Sequence, residues 1–189
     1  EDARELGFEP GTPLVLFVGR LVYYKGVEYL IRAMQRVDAT LVIVGDGPLR
    51  KELERLSREL RVDHKVRFVG RVPTDTLHKY YRACRCLVLP SVEPTEAFGL
   101  VQLEAMAYGK PVVNTRLPTG VPFVSVHGET GLTVQPRDVR GLAEAIARLC
   151  EDDQLWTRLS RQARQRVEAM FSKDVVLAQV KSVYWELLS

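Results

Sequence analysis

Glu96 and Glu104 stand with seven residues between them in the stretch 91–115, SVEPTEAFGLVQLEAMAYGKPVVNT. A Phe98-Gly99 turn follows the first, Gly109-Lys110-Pro111 closes the segment, and a strand-like Val112-Val113 comes after it. The pattern predicts a loop, a helix and a strand. Two carboxylates this close could work as an acid and a base. Their placement favours another role. With a helix starting near Phe98 or Gly99, Glu96 lies in the loop and Glu104 about six residues further along, roughly 9 Å up the axis. Such a pair can grip the two ends of one extended ligand. The amides of Phe98, Gly99 and Leu100 are free donors at the helix start, where the dipole favours an anion. Glycine at 99 admits close approach to the backbone. Leu103, Ala105, Met106 and Ala107 make the helix read as largely buried, so the Glu104 carboxylate needs a partner there, a lysine or a ligand.

A second set of polar residues follows other apolar runs. Gly19-Arg20-Leu21-Val22-Tyr23-Tyr24-Lys25-Gly26 brings two cations to the end of a predicted strand. Arg20 and Lys25 could clamp a diphosphate, although two exposed charges there are also ordinary surface chemistry. Tyr23-Tyr24 could stack on a ligand or cover the core. Gly45-Asp46-Gly47-Pro48 is a tight turn into a helix, and Pro48 suits a first helical turn. Gly70-Arg71-Val72-Pro73 is a further loop, in which Arg71 is equally consistent with a surface residue. His127 stands alone in a turn and reads as structural rather than as a base.

These residues must be positioned by a scaffold, and its outline is legible. A continuous apolar run at 14–18 and similar, largely apolar runs at 40–44, 66–69, 86–89 and 111–115, with a shorter one at 132–134, suit strands covered on both faces. Each of the first four is stopped by glycine or proline. Helical periodicity fills the gaps at 27–37, 49–60, 74–83, 142–149, 155–170 and 175–188, with Thr74 as a candidate cap. Strand–helix alternation predicts right-handed βαβ units and an α/β doubly wound parallel sheet, Rossmann-like. Ligands then bind beyond the carboxyl ends of the strands, where the residues above fall. One domain over 1–189 is expected, with a core at about 14–150, two closing helices at about 154–188, and a polar linker at 1–13.

Composition excludes several classes. The 189 residues carry a net charge of +3 with no basic block interleaved with aromatics, which argues against nucleic acid. No apolar run is long enough to cross a bilayer. The three cysteines, Cys84, Cys86 and Cys150, read as buried free thiols of a reducing compartment. The three histidines lack metal-ligand spacing, so no metal is expected. Arg158, Arg161, Arg164 and Arg166 make helix 155–170 basic, and a solvated face is favoured over a membrane surface.

The ordered set G-R-x(4)-K-G, G-D-G-P, L-P-S, E-A-F-G-L-x(3)-E-A-M-A-x-G-x-P-V-V and G-x-T-G-L, spread from Leu14 to Asp138, resembles the retaining GT4 glycosyltransferases, glycosyl transferases group 1. The resemblance covers the C-terminal, donor-binding half of their GT-B fold. It implies transfer of a sugar from a nucleoside diphosphate sugar, UDP- or GDP-type, to an acceptor hydroxyl with retention at the anomeric carbon. In that scheme Arg20, Lys25 and Gly19 meet the diphosphate, and Arg71 and Val72 lie beside the base. Phe98, Gly99 and Leu100 hold phosphate through their amides, Glu104 takes the ribose hydroxyls, and Glu96 meets the transferred sugar. No cofactor is implied. The N-terminal acceptor domain is expected to be missing, which leaves this part inactive alone. The whole protein is expected in the cytoplasm, at the membrane face, in lipopolysaccharide, capsule or other polysaccharide synthesis. A nucleotide-sugar epimerase, a phosphorylase and a non-catalytic nucleotide-sugar binding module share the fold and stay open.

Overall fold

The computed structural model describes residues 2–9 and 11–188. Six strands, β1 (Leu14–Val18), β2 (Thr40–Val44), β3 (Val66–Gly70), β4 (Cys86–Leu89), β5 (Val112–Thr115) and β6 (Gly131–Val134), form one parallel sheet in the order β3-β2-β1-β4-β5-β6. The runs become strands because both faces are covered: β4 and β5 are buried at every position. Helices α1 (Asp2–Glu5), α2 (Val27–Ala33), α3 (Arg50–Glu59), α4 (Thr74–Ala83), α5 (Leu100–Ala107), α6 (Val121–Val124), α7 (Val139–Glu151), α8 (Asp153–Arg166) and α9 (Lys173–Leu188) complete the chain. One core layer packs α2, α3 and α7 on the sheet through Leu30, Ile31, Leu53, Leu142 and Ile146. The other packs α4 and α5 through Tyr80, Tyr81, Ala105 and Met106.

The predicted architecture is observed, with local corrections. Residues 2–8 are not a linker. Glu5 and Asp2 of α1 pair with Lys79 and Arg82 of α4 at 2.6 and 2.9 Å, and Phe8 buries edge-on to Tyr80. Phe8 found an apolar helix face to cover, which a polar average over the segment hides. Pro48 lies in the turn before α3, because the Leu49 amide is held by the Leu21 carbonyl at 3.2 Å and the helix starts only at Arg50. Thr74 does not cap α4. Pro73 enters extended at that position with no side-chain cap. The predicted helix over 27–37 finishes as a 3₁₀ turn, Met34–Arg36, and α8 runs into a π-helical turn, Val167–Phe171.

Cys84 and Cys86 are buried and Cys150 half-buried, all as free thiols. Burial pushes Cys84 up to about 12 and Cys150 up to about 11, and it raises Cys86 as well. Since the thiolate is the reactive form, iodoacetamide at neutral pH is expected to leave Cys84 and Cys86 unmodified in the folded chain and to label all three in urea. Native labelling of Cys84 or Cys86, read by peptide mass spectrometry, would show that the core opens.

Candidate functional site

Strands β1 and β4 are neighbours whose outgoing connections run to opposite sides of the sheet. The reversal opens a crevice at their carboxyl ends. The loops after these two strands touch backbone to backbone. Gly26 has φ 63°, and a Cβ there would lie 2.2 Å from the Pro90 carbonyl oxygen, so only glycine fits. The Val92 amide donates to the Tyr24 carbonyl at 2.8 Å beside it.

This contact sets Lys25 against Glu96. Lys25 Nζ donates to Glu96 Oε2 at 2.5 Å, and Ser91 Oγ donates to the same oxygen at 2.9 Å. Thr115 Oγ1 in turn donates to the Ser91 carbonyl at 2.5 Å, which links the loop to the end of β5. The Lys25 and Glu96 side chains are only 13% and 10% exposed. A carboxylate this far from water must be compensated, and one cation and one hydroxyl compensate it. A Cβ on Gly19 would sit 3.7 Å from Lys25 Cε, so Gly19 borders the same pocket of charge. The family resemblance assigned Lys25 to the diphosphate and Glu96 to the sugar. In the folded chain they hold each other, because the glycine contact leaves their loops no room to diverge.

Helix α5 carries the second part. Gly99, at φ 71°, precedes its first residue, Leu100. Glu104 is therefore four residues in, about 6 Å along the axis rather than 9 Å. The expectation of a largely buried helix is corrected: Gln102, Ala105 and Met106 are buried, whereas Leu100, Glu104 and Ala107 form an exposed stripe at helical spacing. Within the chain the partner of Glu104 is Tyr81 rather than a lysine: the Tyr81 hydroxyl donates to Oε2 at 2.5 Å. Tyr81 is buried to 1% exposure and stacks on Tyr108 at 5.8 Å. Burial first, and the adjacent Glu104 carboxylate second, push the phenol far above its ordinary range, so it stays a donor. Glu104 Oε1 makes no hydrogen bond among the described residues, nor do the Phe98 and Gly99 amides. First-turn helical amides such as that of Leu100 have no intrahelical acceptor. The stretch therefore carries unbonded amides at its start and a half-used carboxylate about one turn further on.

The remaining candidates divide. Arg20 is exposed just beyond β1 and outside the hydrogen-bonded set, as is Arg71 beyond the edge strand β3. Val72 packs in the same apolar cluster as Tyr81. Tyr23 is 69% exposed while Tyr24 is half-buried, its ring 5.7 Å from Lys25 Nζ. His127 Nδ1 accepts from the Thr133 amide at 2.9 Å and so holds a turn. Glu93 is tied to Arg137 before α7. Arg158, Arg161 and Arg164 are exposed, and Arg158 donates to the Gly128 carbonyl at 2.8 Å. Arg166 is not: it donates to the Phe123 and Val124 carbonyls at 2.6 and 3.1 Å and lies over the Phe123 and Phe171 rings. Sequence reasoning missed Tyr81, Gln102 and Asn114. The available signal was an asparagine inside an apolar strand run and a glutamine on the buried face of a helix.

Two concavities of about 470 Å³ lie elsewhere, one beside Leu14, Arg85 and Trp156, the other along α8. Neither includes a residue of the Lys25–Glu96 cluster or the α5 amides.

The sheet order and the helices on both of its faces define a Rossmann-like α/β domain of the GT-B type. The chain belongs to the family described as "Glycosyl transferases group 1", which matches residues 1–166. It is 39% identical over 185 residues to an uncharacterised glycosyltransferase of Methanocaldococcus jannaschii, covering 96% of this chain and 47% of that protein. It is 32% identical over 178 residues to the O-antigen chain mannosyltransferase C of Escherichia coli, covering 94% and 48%. The Anabaena protein HepE, solved in complex with UDP-glucose, superposes with a TM-score of 0.88 at 27% identity, covering 97% and 51%. The chain thus spans about half the length of the curated relatives it matches.

Proposed function

We propose that this chain is the donor-binding half of a retaining glycosyltransferase that moves a sugar from a UDP- or GDP-sugar to an acceptor hydroxyl in polysaccharide synthesis. The observation that carries this reading is the pairing of a nearly buried Lys25–Glu96 cluster with the unbonded amides before α5 at one switch point. The diphosphate lies on the Phe98, Gly99 and Leu100 amides, with Arg20 and Lys25 neutralising the charge that grows on the leaving group. Glu104 takes the ribose hydroxyls on Oε1 while Tyr81 steadies Oε2. Glu96, fixed by Lys25 and Ser91, faces the sugar, and Val72 and Arg71 border the base. The UDP-glucose complex of HepE and the O-antigen relative support the donor class and the product class. The acceptor site belongs to a second domain, at the cytoplasmic face of the membrane, and this half alone binds donor without transferring it. No metal or other cofactor takes part.

Calorimetric titration of UDP, GDP and ADP tests the reading. One nucleotide is expected to bind, and Glu104→Ala to weaken it roughly 10- to 100-fold, the worth of hydrogen bonds to a charged group. Equal binding to wild type and Glu104→Ala rejects the ribose role, and no binding to wild type rejects the site.

A further inference from the structure

Beneath the site lies a polar network with no surface of its own. Gln102 of α5 and Asn114 of β5 are both 0% exposed. Asn114 Nδ2 faces the Val121 and Ser125 carbonyls at 3.2 and 3.0 Å, and its Oδ1 accepts from Thr133 Oγ1 at 2.7 Å. Carbonyls require a donor, so the amide of Asn114 has one orientation. The same Nδ2 reaches Gln102 Oε1 at 2.9 Å, which turns the Gln102 amide nitrogen toward the Phe98 carbonyl, also at 2.9 Å. Each partner thus fixes the next, from the sheet to the turn before α5.

That last bond has a geometric consequence. The Phe98–Gly99 peptide is trans and planar, so its C=O and N–H point in opposite directions. Drawing the Phe98 oxygen inward onto Gln102 drives the Gly99 N–H away from the core. Gly99 is itself buried, yet its N–H has no acceptor among the described residues. Buried backbone donors are seldom left without one. A side chain at 99 would break the arrangement, since a Cβ there would lie 2.5 Å from Leu89 Cδ2 and 3.0 Å from Gln102 Nε2.

We propose that Gln102, aimed by Asn114, is a positioning residue for donor binding: by holding the Phe98 carbonyl it points the Gly99 N–H at a phosphate of the nucleoside diphosphate. The inference rests on the donor-binding reading above. Gln102→Met keeps the length, introduces no charge and leaves Asn114 its carbonyl partners. It is expected to weaken whichever of UDP and GDP wild type binds roughly tenfold, the loss of one charge-assisted hydrogen bond, with the affinity of the matching nucleoside by ligand-observed NMR unchanged within about twofold. In wild type, that diphosphate is expected to move the Gly99 amide proton downfield. Equal weakening of diphosphate and nucleoside, or none of either, in a variant that still melts cooperatively overturns the proposal. So does a Gly99 amide in wild type that the bound diphosphate leaves unmoved, whatever the variant does. If wild type binds neither UDP nor GDP, the donor-binding reading falls and the proposal with it, whereas diphosphate binding without the Gln102 effect removes the proposal alone.

Discussion

Lys25→Met is expected to lower the unfolding free energy by about 3 kcal/mol, and adding Glu96→Gln to the same chain is expected to recover most of that loss. The reason is where the charge is left. Glu96 Oε2 is held by Lys25 at 2.5 Å and by Ser91 at 2.9 Å, and its side chain is only 10% exposed. Removing the cation leaves a carboxylate that water barely reaches, with one hydroxyl to hold it. Neutralising that carboxylate removes the penalty while keeping an acceptor for Ser91. For a chain of this size the single change corresponds to a fall in Tm of about 6–12 °C. Urea unfolding of wild type, both single variants and the double variant closes the cycle. A double variant no more stable than Lys25→Met would mean that the pair is solvated and not the anchor described here.

The exposed pairs give the contrast. Arg140–Glu144 is 78% and 61% exposed, where pairs of this kind contribute about 0.3–0.5 kcal/mol. The Lys25–Glu96 pair is therefore set apart by its burial rather than by its charges.

Asn114→Asp is expected to destabilise the chain by about 4 kcal/mol or more near neutral pH, and by less in acid. The Asn114 Nδ2 atom lies against two carbonyls and Gln102 Oε1, all acceptors. A carboxylate would set an ionised acceptor against all three inside a fully buried site. The direction with pH follows from the sign of the perturbation. Burial and facing acceptors raise the introduced carboxyl's folded pKa above its unfolded value of about 3.9. The penalty is then least below that value and grows as pH rises toward the folded one. Asn114→Leu, which introduces no charge, carries no such pH dependence. Parallel denaturation series for the two variants across the acid range decide the matter. Identical pH profiles would show that the Asn114 site is wet or relaxes freely.

Much of the fold was legible because it rests on local patterns. Each of the six apolar runs became a strand, since period and length already said that both faces must be covered. Gly45, Gly70 and Pro90 end β2, β3 and β4 where the chain must turn. The placement of candidates at the carboxyl ends followed from the parallel alternation alone. Helix starts were less legible, because Pro48 and Thr74 carry local signals that tertiary bonds and an extended Pro73 overrule. The docking of α1 was hidden because Phe8 meets Tyr80 only across 72 residues of chain.

The stretch around Glu96 and Glu104 shows where the division falls. The sequence by itself determined that one carboxylate precedes a helix and the other rides on it, because spacing and the Phe98-Gly99 turn are local facts. Only the tertiary structure decided what each carboxylate touches. Lys25 is 71 residues from Glu96 and Tyr81 is 23 from Glu104, and neither pairing leaves a trace in local periodicity. The physical reason is that a hydrogen-bond partner is chosen by proximity and desolvation. Both exist only after β1 and β4 lie side by side and Gly26 lets their loops meet.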